Sequence, residues 1–211
     1  MIIDDYPPFL VDFLFLKGNG GNVMSNDTLS TSKVEDHIRG ILEEIGEDPK
    51  REGLLNTPTR VAKMYKEVFE GVDVPPETAL TTTFDAEGYD GMVVVKNIDY
   101  YTFCEHHLIP FFGKAHIGYI PDSQIIGLSK FARLVELVAK RPQVQERMTN
   151  QIASAIEKVL QPKGVIVSVE GQHLCMCARG VKKPGSKTVT TVKKGCFETS
   201  NDLVQEFMRS E

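Results

Sequence analysis

The 211-residue chain has no excess of positive charge, no long apolar run and only four cysteines, and each shortage removes a class of function. Its 24 Lys and Arg stand against 29 Asp and Glu, for a net charge of −5. A surface that reads nucleic-acid phosphates makes its domain basic, so general nucleic-acid binding is excluded. A small anion needs only a local positive pocket and stays open. No stretch approaches the ~20 apolar residues of a membrane span. Residues 9–16 are apolar apart from Asp12, but Asp4 and Asp5 precede them where a secretory signal carries positive charge. Thiols in C-x-x-H and C-x-C settings make no disulfide framework and fit a reducing cytoplasm. No internal repeat is visible.

What is present is an ordinary globular composition, long enough to bury a core as one domain with a helical appendage. Residues 1–31 stand apart. Pro7-Pro8, a Gly/Asn-rich stretch at 17–22 and a Ser/Thr/Asn run show no period, which predicts a disordered or artefactual leader. Residues 1–23 are expected to be dispensable. Gly20-Gly21 lies three codons before Met24, where GGAGG coding would resemble a ribosome-binding site. Mass spectrometry of natively expressed protein that found Met1 intact would reject this.

Order is expected from Ser32, where Ser32-x-x-Glu35 forms a capping box. Val34, Ile38, Ile41, Leu42 and Ile45 then make a helical stripe that Gly46 ends. Thr57-Pro58 starts a second helix with Val61, Met64, Tyr65, Val68 and Phe69 on its apolar face. These two helices make an N-terminal unit over residues 32–75. From about Leu80 the period changes, and residues 80–84, 92–98 and 113–120 read as strands. Leu128, Phe131, Leu134, Val135 and Val138 mark one helix; Met148, Ile152, Ile156 and Val159 mark the next. Strands at 165–169 and 187–192 and a helix at 201–208 complete residues 76–211. The pattern predicts an α+β domain with a helix pair on one face of an antiparallel sheet.

Two cysteine and histidine clusters carry the chemistry. Cys104-Glu105-His106-His107 is followed far downstream by His173-Leu174-Cys175-Met176-Cys177. Thiolates with imidazoles suit zinc, which takes four ligands in structural sites and three plus water in catalytic ones. One tight turn can aim Cys104 and His107 at one ion. His173, Cys175 and Cys177 alternate, so on a strand all three share a face. A lone cysteine is usually a small buried hydrophobe, which describes Cys196. Spacing alone leaves a closed structural set of Cys104, His107, Cys175 and Cys177 as even with an open catalytic one.

Charges on a helix's free face are usually solvated. Ser129 nevertheless sits at a helix start that favours anions, with Lys130 and Arg133 on one face. Arg179 adds a cation if the strand from His173 runs that far. Together these four look like a polyphosphate clamp, whereas Lys182, Lys183 and Lys187 read as a basic loop. Glu146 begins a helix, where a carboxylate commonly just offsets the dipole. It is also the right group for guanine's ring N–H and amino edge, although spacing favours the plain role.

Six motifs stand in order: Thr57-Pro58-x-Arg60-Val61-Ala62-Lys63-Met64-Tyr65, Cys104-Glu105-His106-His107, Gly118-Tyr119-Ile120-Pro121, Gly127-Leu128-Ser129-Lys130, Arg141-Pro142-Gln143-Val144-Gln145-Glu146-Arg147 and His173-x-Cys175-x-x-x-Arg179-Gly180. Over residues 33–211 the chain closely resembles the zinc-dependent GTP cyclohydrolase I family. The resemblance implies a tunnelling fold in a toroidal homodecamer of two pentameric rings. It implies zinc on Cys104, His107 and Cys175, with Cys177 not required. His106 and His173 take proton-transfer roles and Glu146 the guanine base. Ser129 falls near the ribose, Lys130, Arg133 and Arg179 on the triphosphate, and Arg60 on the phosphates of a neighbouring subunit. The reaction implied converts GTP to dihydroneopterin triphosphate and formate, toward folate or biopterin. A zinc-free nitrile oxidoreductase of the same fold, with a cysteine nucleophile, is disfavoured by the retained Cys104/His107/Cys175 set. A structural-zinc module that only holds a nucleotide would release no formate.

Overall fold

The computed structural model describes residues 30–210, so the expected leader lies outside the described residues up to residue 29. Helices α1 (Thr31–Glu44) and α2 (Thr57–Val68) come first. The first begins at Thr31, which places Ser32 inside its opening turn rather than at the cap. Pro58 lies in the first turn of α2, where its missing N–H costs no helical bond. The cap position is Asn56, not Thr57. No residue of α1 is buried, and Ile41 and Ile45 of its stripe are 55% and 71% exposed.

The strand expected from Leu80 starts later. Pro75 and Pro76 fix the backbone for a 3-10 turn, Pro76–Ala79, closed by Thr78 Oγ1 on the Pro75 carbonyl (2.7 Å) and Leu80 N–H on the Glu77 carbonyl (3.0 Å). Strand β1 is Thr83–Asp85 and pairs only with β4 (Gln124–Ile126). The main sheet contains β2 (Val93–Cys104), β3 (Pro110–Ile120), β5 (Pro142–Gln143), β6 (Gly164–His173) and β7 (Thr188–Gly195). Their spatial order is β5-β2-β3-β6-β7; all neighbours are antiparallel except β5, which runs parallel to β2. Both β2 and β6 outrun their expected ends, and they carry Cys104 and His173 at their last residues.

Helices α3 (Ser129–Ala139) and α4 (Gln145–Leu160) cover one sheet face. Phe131, Leu134, Val135 and Val138 of α3 and Met148, Ile152 and Ile156 of α4 are fully buried there. Alternation along β3 and β6 sends Ile117, Val165 and Val167 to the same layer. At ~1.5–3 kcal/mol for each fully buried large apolar side chain, this layer supplies most of the driving force. The helix pair lies on one face as expected, and the second face is covered as well. After α5 (Leu174–Cys177), the short α6 (Cys196–Thr199) and α7 (Asn201–Arg209) cover the second face, with Phe197 and Phe207 on Ile120 and Ile166. The pleat makes two-sided burial possible, because both faces of β3 and β6 carry apolar residues at this end.

Candidate active site and metal centre

The site begins where β2 stops. After Cys104 the chain reverses tightly: Leu108 N–H donates to the Cys104 carbonyl (2.8 Å) and Cys104 N–H to that of Ile109 (3.0 Å). Leu108 accepts a left-handed φ of 49° to make the turn. Glu105 N–H donates to the Gln143 carbonyl (3.0 Å), which fastens the turn to β5. Arg147, in the first turn of α4, bonds the Glu105 carboxylate, Gln143 Oε1 (3.1 Å) and the Pro142 carbonyl (3.0 Å). This half-exposed ion pair adds little stability, but it orients the turn.

The second part arrives on β6. Its last residue, His173, is paired with Phe111 of β3, and their rings stack at 4.4 Å and 10°. The expected strand ends there. Leu174–Cys177 forms a single helical turn, closed by Ala178 N–H on the Leu174 carbonyl (2.9 Å). In a helical turn, residues two apart are rotated by ~200°, so Cys175 and Cys177 point apart instead of sharing a face. Cys177 Sγ contacts Gln172 Nε2 and the Lys183 carbonyl, both at 3.8 Å.

Cys104, His107 and Cys175 bring one ligand atom each to within 4.8 Å of one another. Cys104 is buried, Cys175 half-buried and His107 exposed, so the group opens to solvent on the imidazole side. Two sulfurs and one imidazole nitrogen fit the soft, low-coordination chemistry of zinc. Burial, then the neighbouring Cys104 thiol, pushes the Cys175 thiol up. His106 Nδ1 lies 3.7 Å from Cys104 Sγ. Arg179 comes after the helical turn and not on a continued strand, yet its Nη1 lies 2.7 Å from His107 Nε2. Burial holds the His173 pKa below the usual histidine value, with Glu146 pulling the other way. Behind His173, Gln145 Oε1 sits 2.9 Å from His173 Nε2.

Residues 34–211 match the family model for GTP cyclohydrolase I. The GTP cyclohydrolase 1 of Geobacillus kaustophilus is 56% identical over 181 residues, covering 85% of this chain and 96% of the relative. That of Brevibacillus brevis is 55% identical over 167 residues, 79% and 89% of the two chains. That of Streptococcus mutans is 53% identical over 177 residues, 83% and 92%. The chain belongs to the GTP cyclohydrolase I family.

The motifs of this family converge unevenly in the chain. Cys104, His106, His107, Cys175 and Arg179 form one cluster. His173 and Glu146 adjoin it through α4 and β6. Among the described residues, no hydrogen bond or ion pair joins Ser129, Lys130, Arg133 or Arg60 to that cluster. Lys130 Nζ instead donates to Thr81 Oγ1 (2.9 Å). The residue missed from sequence is Gln145. A signal existed: Gln145, Met148, Thr149, Ile152 and Ile156 are all buried on one helical stripe, and a glutamine in that register must find internal partners.

Proposed function

We propose that the chain hydrolyses GTP to 7,8-dihydroneopterin triphosphate and formate, with zinc held by Cys104, His107 and Cys175. The observation that carries the reading is the convergence of these three ligands within 4.8 Å in a chain that matches the GTP cyclohydrolase I family over residues 34–211. Zinc bound there supplies a Lewis acid and makes hydroxide available near neutral pH. Glu146 accepts the ring N–H and amino protons of guanine and orients the base. His106 and His173 exchange protons at the purine and ribose atoms as the five-membered ring opens and the pterin ring closes. Ser129 positions the ribose. Lys130, Arg133 and Arg179 hold the triphosphate, which is not cleaved and anchors the substrate by remote binding.

The site in this reading is shared between subunits of a tunnelling-fold decamer of two pentameric rings. Arg60 then reaches a neighbour's phosphates. Residues 32–75 form the helical unit of this assembly and residues 76–211 the catalytic domain. The enzyme acts in the cytoplasm, at the entry to tetrahydrofolate or biopterin synthesis. Among the described residues, no helix is long and apolar enough to cross a membrane.

The test is turnover of GTP by the zinc-loaded protein, with formate and the fluorescent oxidised neopterin product measured together. Both products in equal amounts are expected. Nucleotide binding without formate would overturn the reading in favour of a binding module.

A further inference from the structure

The geometry points to Gln145 as a positioning residue that locks His173 in one tautomer, with the proton on Nε2 and the lone pair on Nδ1. This rests on the proton-transfer role proposed for His173.

The argument is a count of donors and acceptors. Gln145 is 1% exposed, so its amide must be satisfied internally. Which end of the amide faces His173 follows from its other neighbours. The carbonyls of Val169 and Thr188 lie 2.9 and 3.0 Å from one end, and carbonyls only accept. That end is therefore the NH2 group, and the oxygen faces His173. An amide oxygen cannot donate, so the 2.9 Å contact requires an N–H on His173 Nε2. A neutral imidazole has one such hydrogen, which leaves Nδ1 as the basic nitrogen.

The hydroxyls beside the amide close the count in the same sense. Thr149 Oγ1 donates to the Gln145 carbonyl at 2.7 Å, which uses its only hydrogen. In the 2.6 Å contact between Thr149 and Thr190, Thr190 must then be the donor. Thr190 Oγ1 keeps lone pairs toward Gln145 Nε2 at 3.2 Å, so it too faces the NH2 end. Flipping the amide would set its oxygen against the two carbonyl oxygens of Val169 and Thr188 and leave the contacts without a hydrogen.

Steric room for this arrangement comes from Gly171. A Cβ there would lie 2.5 Å from Gln145 Oε1 and 2.6 Å from the Tyr100 hydroxyl. The missing side chain is the space that the amide oxygen occupies. Stacking on Phe111 fixes the plane of the His173 ring, so the amide needs to set only which nitrogen is protonated.

Solid-state 15N NMR of the zinc-loaded protein, grown with histidine labelled at both ring nitrogens, reads the tautomer directly, since an unprotonated Nδ1 separates it from the imidazolium. His173→Asn identifies the signal among the five histidines. In the unsubstituted protein at neutral pH the His173 Nε2 signal should be of the protonated type. Gln145→Met keeps the side-chain length and removes the acceptor; Gly171→Ala displaces the amide without changing it. Each should shift the signal toward the unprotonated type and lower kcat about tenfold or more, with KM for GTP and zinc content little changed. An unprotonated Nε2 in the unsubstituted protein overturns the proposal, even if neither variant folds. So does an unchanged signal in the variants, including one accompanied by loss of zinc. If the unsubstituted protein released no formate, the GTP reading would fail while the tautomer measurement still stood.

Discussion

The starts of α3 and α4 differ in what they reach. In α4, the first three residues are Gln145 against His173, Glu146 beside it, and Arg147 on Glu105 of the metal turn. In α3, Ser129 and Arg133 are exposed and Lys130 contacts Thr81, with no described link to the metal group. Both helices bury an apolar stripe on the same sheet face, so packing does not distinguish them. The difference lies in the connection: β5 pairs Gln143 with Cys104 just before α4 begins. One helix start is part of the site by covalent and backbone continuity. The other has exposed Ser129 and Arg133 and, among the described residues, no bond to the metal group.

The largest expected effect tests the α4 half at its metal. Cys175→Ser should abolish both zinc and turnover, whereas Cys177→Ser should retain both, because Cys177 faces Lys183 and Gln172. Equal zinc loss, measured by elemental analysis, would restore the closed four-ligand site. Next comes Glu146→Ala. Losing two charge-assisted bonds of about 1.5–3 kcal/mol each should cut GTP turnover roughly 100-fold or more while zinc stays. Near-normal turnover with a lower Tm would reduce Glu146 to offsetting a helix dipole.

The α3 half is tested by Lys130→Ala with Arg133→Ala. KM for GTP should rise about tenfold or more, from lost charged hydrogen bonds of about 1.5–3 kcal/mol each. Co-assembly with the Cys175→Ser chain should recover activity above the mean of the two separate variants, if α3 of one chain serves the metal group of another. No gain would place both halves on one chain. Full specific activity in a sedimentation-verified monomer would do the same.

The smallest effect lies away from both helix starts. Burial lowers the pKa of His116, whose Nδ1 accepts Asn97 N–H at 3.3 Å beside the register shift in β2. A histidine that binds its proton less readily when folded stabilises the fold fully above its unfolded pKa, near ~6.5, and loses that contribution as pH falls toward the folded value. Tm should therefore fall on acidification below about pH 6.5, and His116→Gln should flatten the slope. An unchanged slope in calorimetry would assign the acid sensitivity elsewhere.

Much of this was legible because two periods are strong. The stripes of α3 and α4 and the valine-rich run of β6 belong to buried elements, where burial fixes residue type. The helical turn at Leu174–Cys177 was not legible. A C-x-C spacing fits an alternating strand, and only the chain's reversal after His173 removes that option. Gln145 was hidden for the opposite reason. Its neighbours Glu146 and Arg147 advertise function by charge, while a neutral amide shows its role only once Val169, Thr188 and Thr190 are seen around it. The candidate metal ligands were readable as a set: spacing alone kept Cys177 among them, the family resemblance left it out, and the helical turn turns its thiol away from Cys175.

The ligands also differ in how firmly the polypeptide holds them. Cys104 ends β2 with β5 on one side and β3 on the other, whereas Cys175 sits on one helical turn followed by residues 178–187, all exposed. Segments of that kind open on their own, without global unfolding. Amide exchange should therefore be fast across residues 174–187 and slow at Cys104 in the apoprotein. Adding zinc should slow the fast stretch far more than the strand. The thiolate of Cys175 would then act as the latch of the centre, released by a local fluctuation that leaves the rest of the sheet closed.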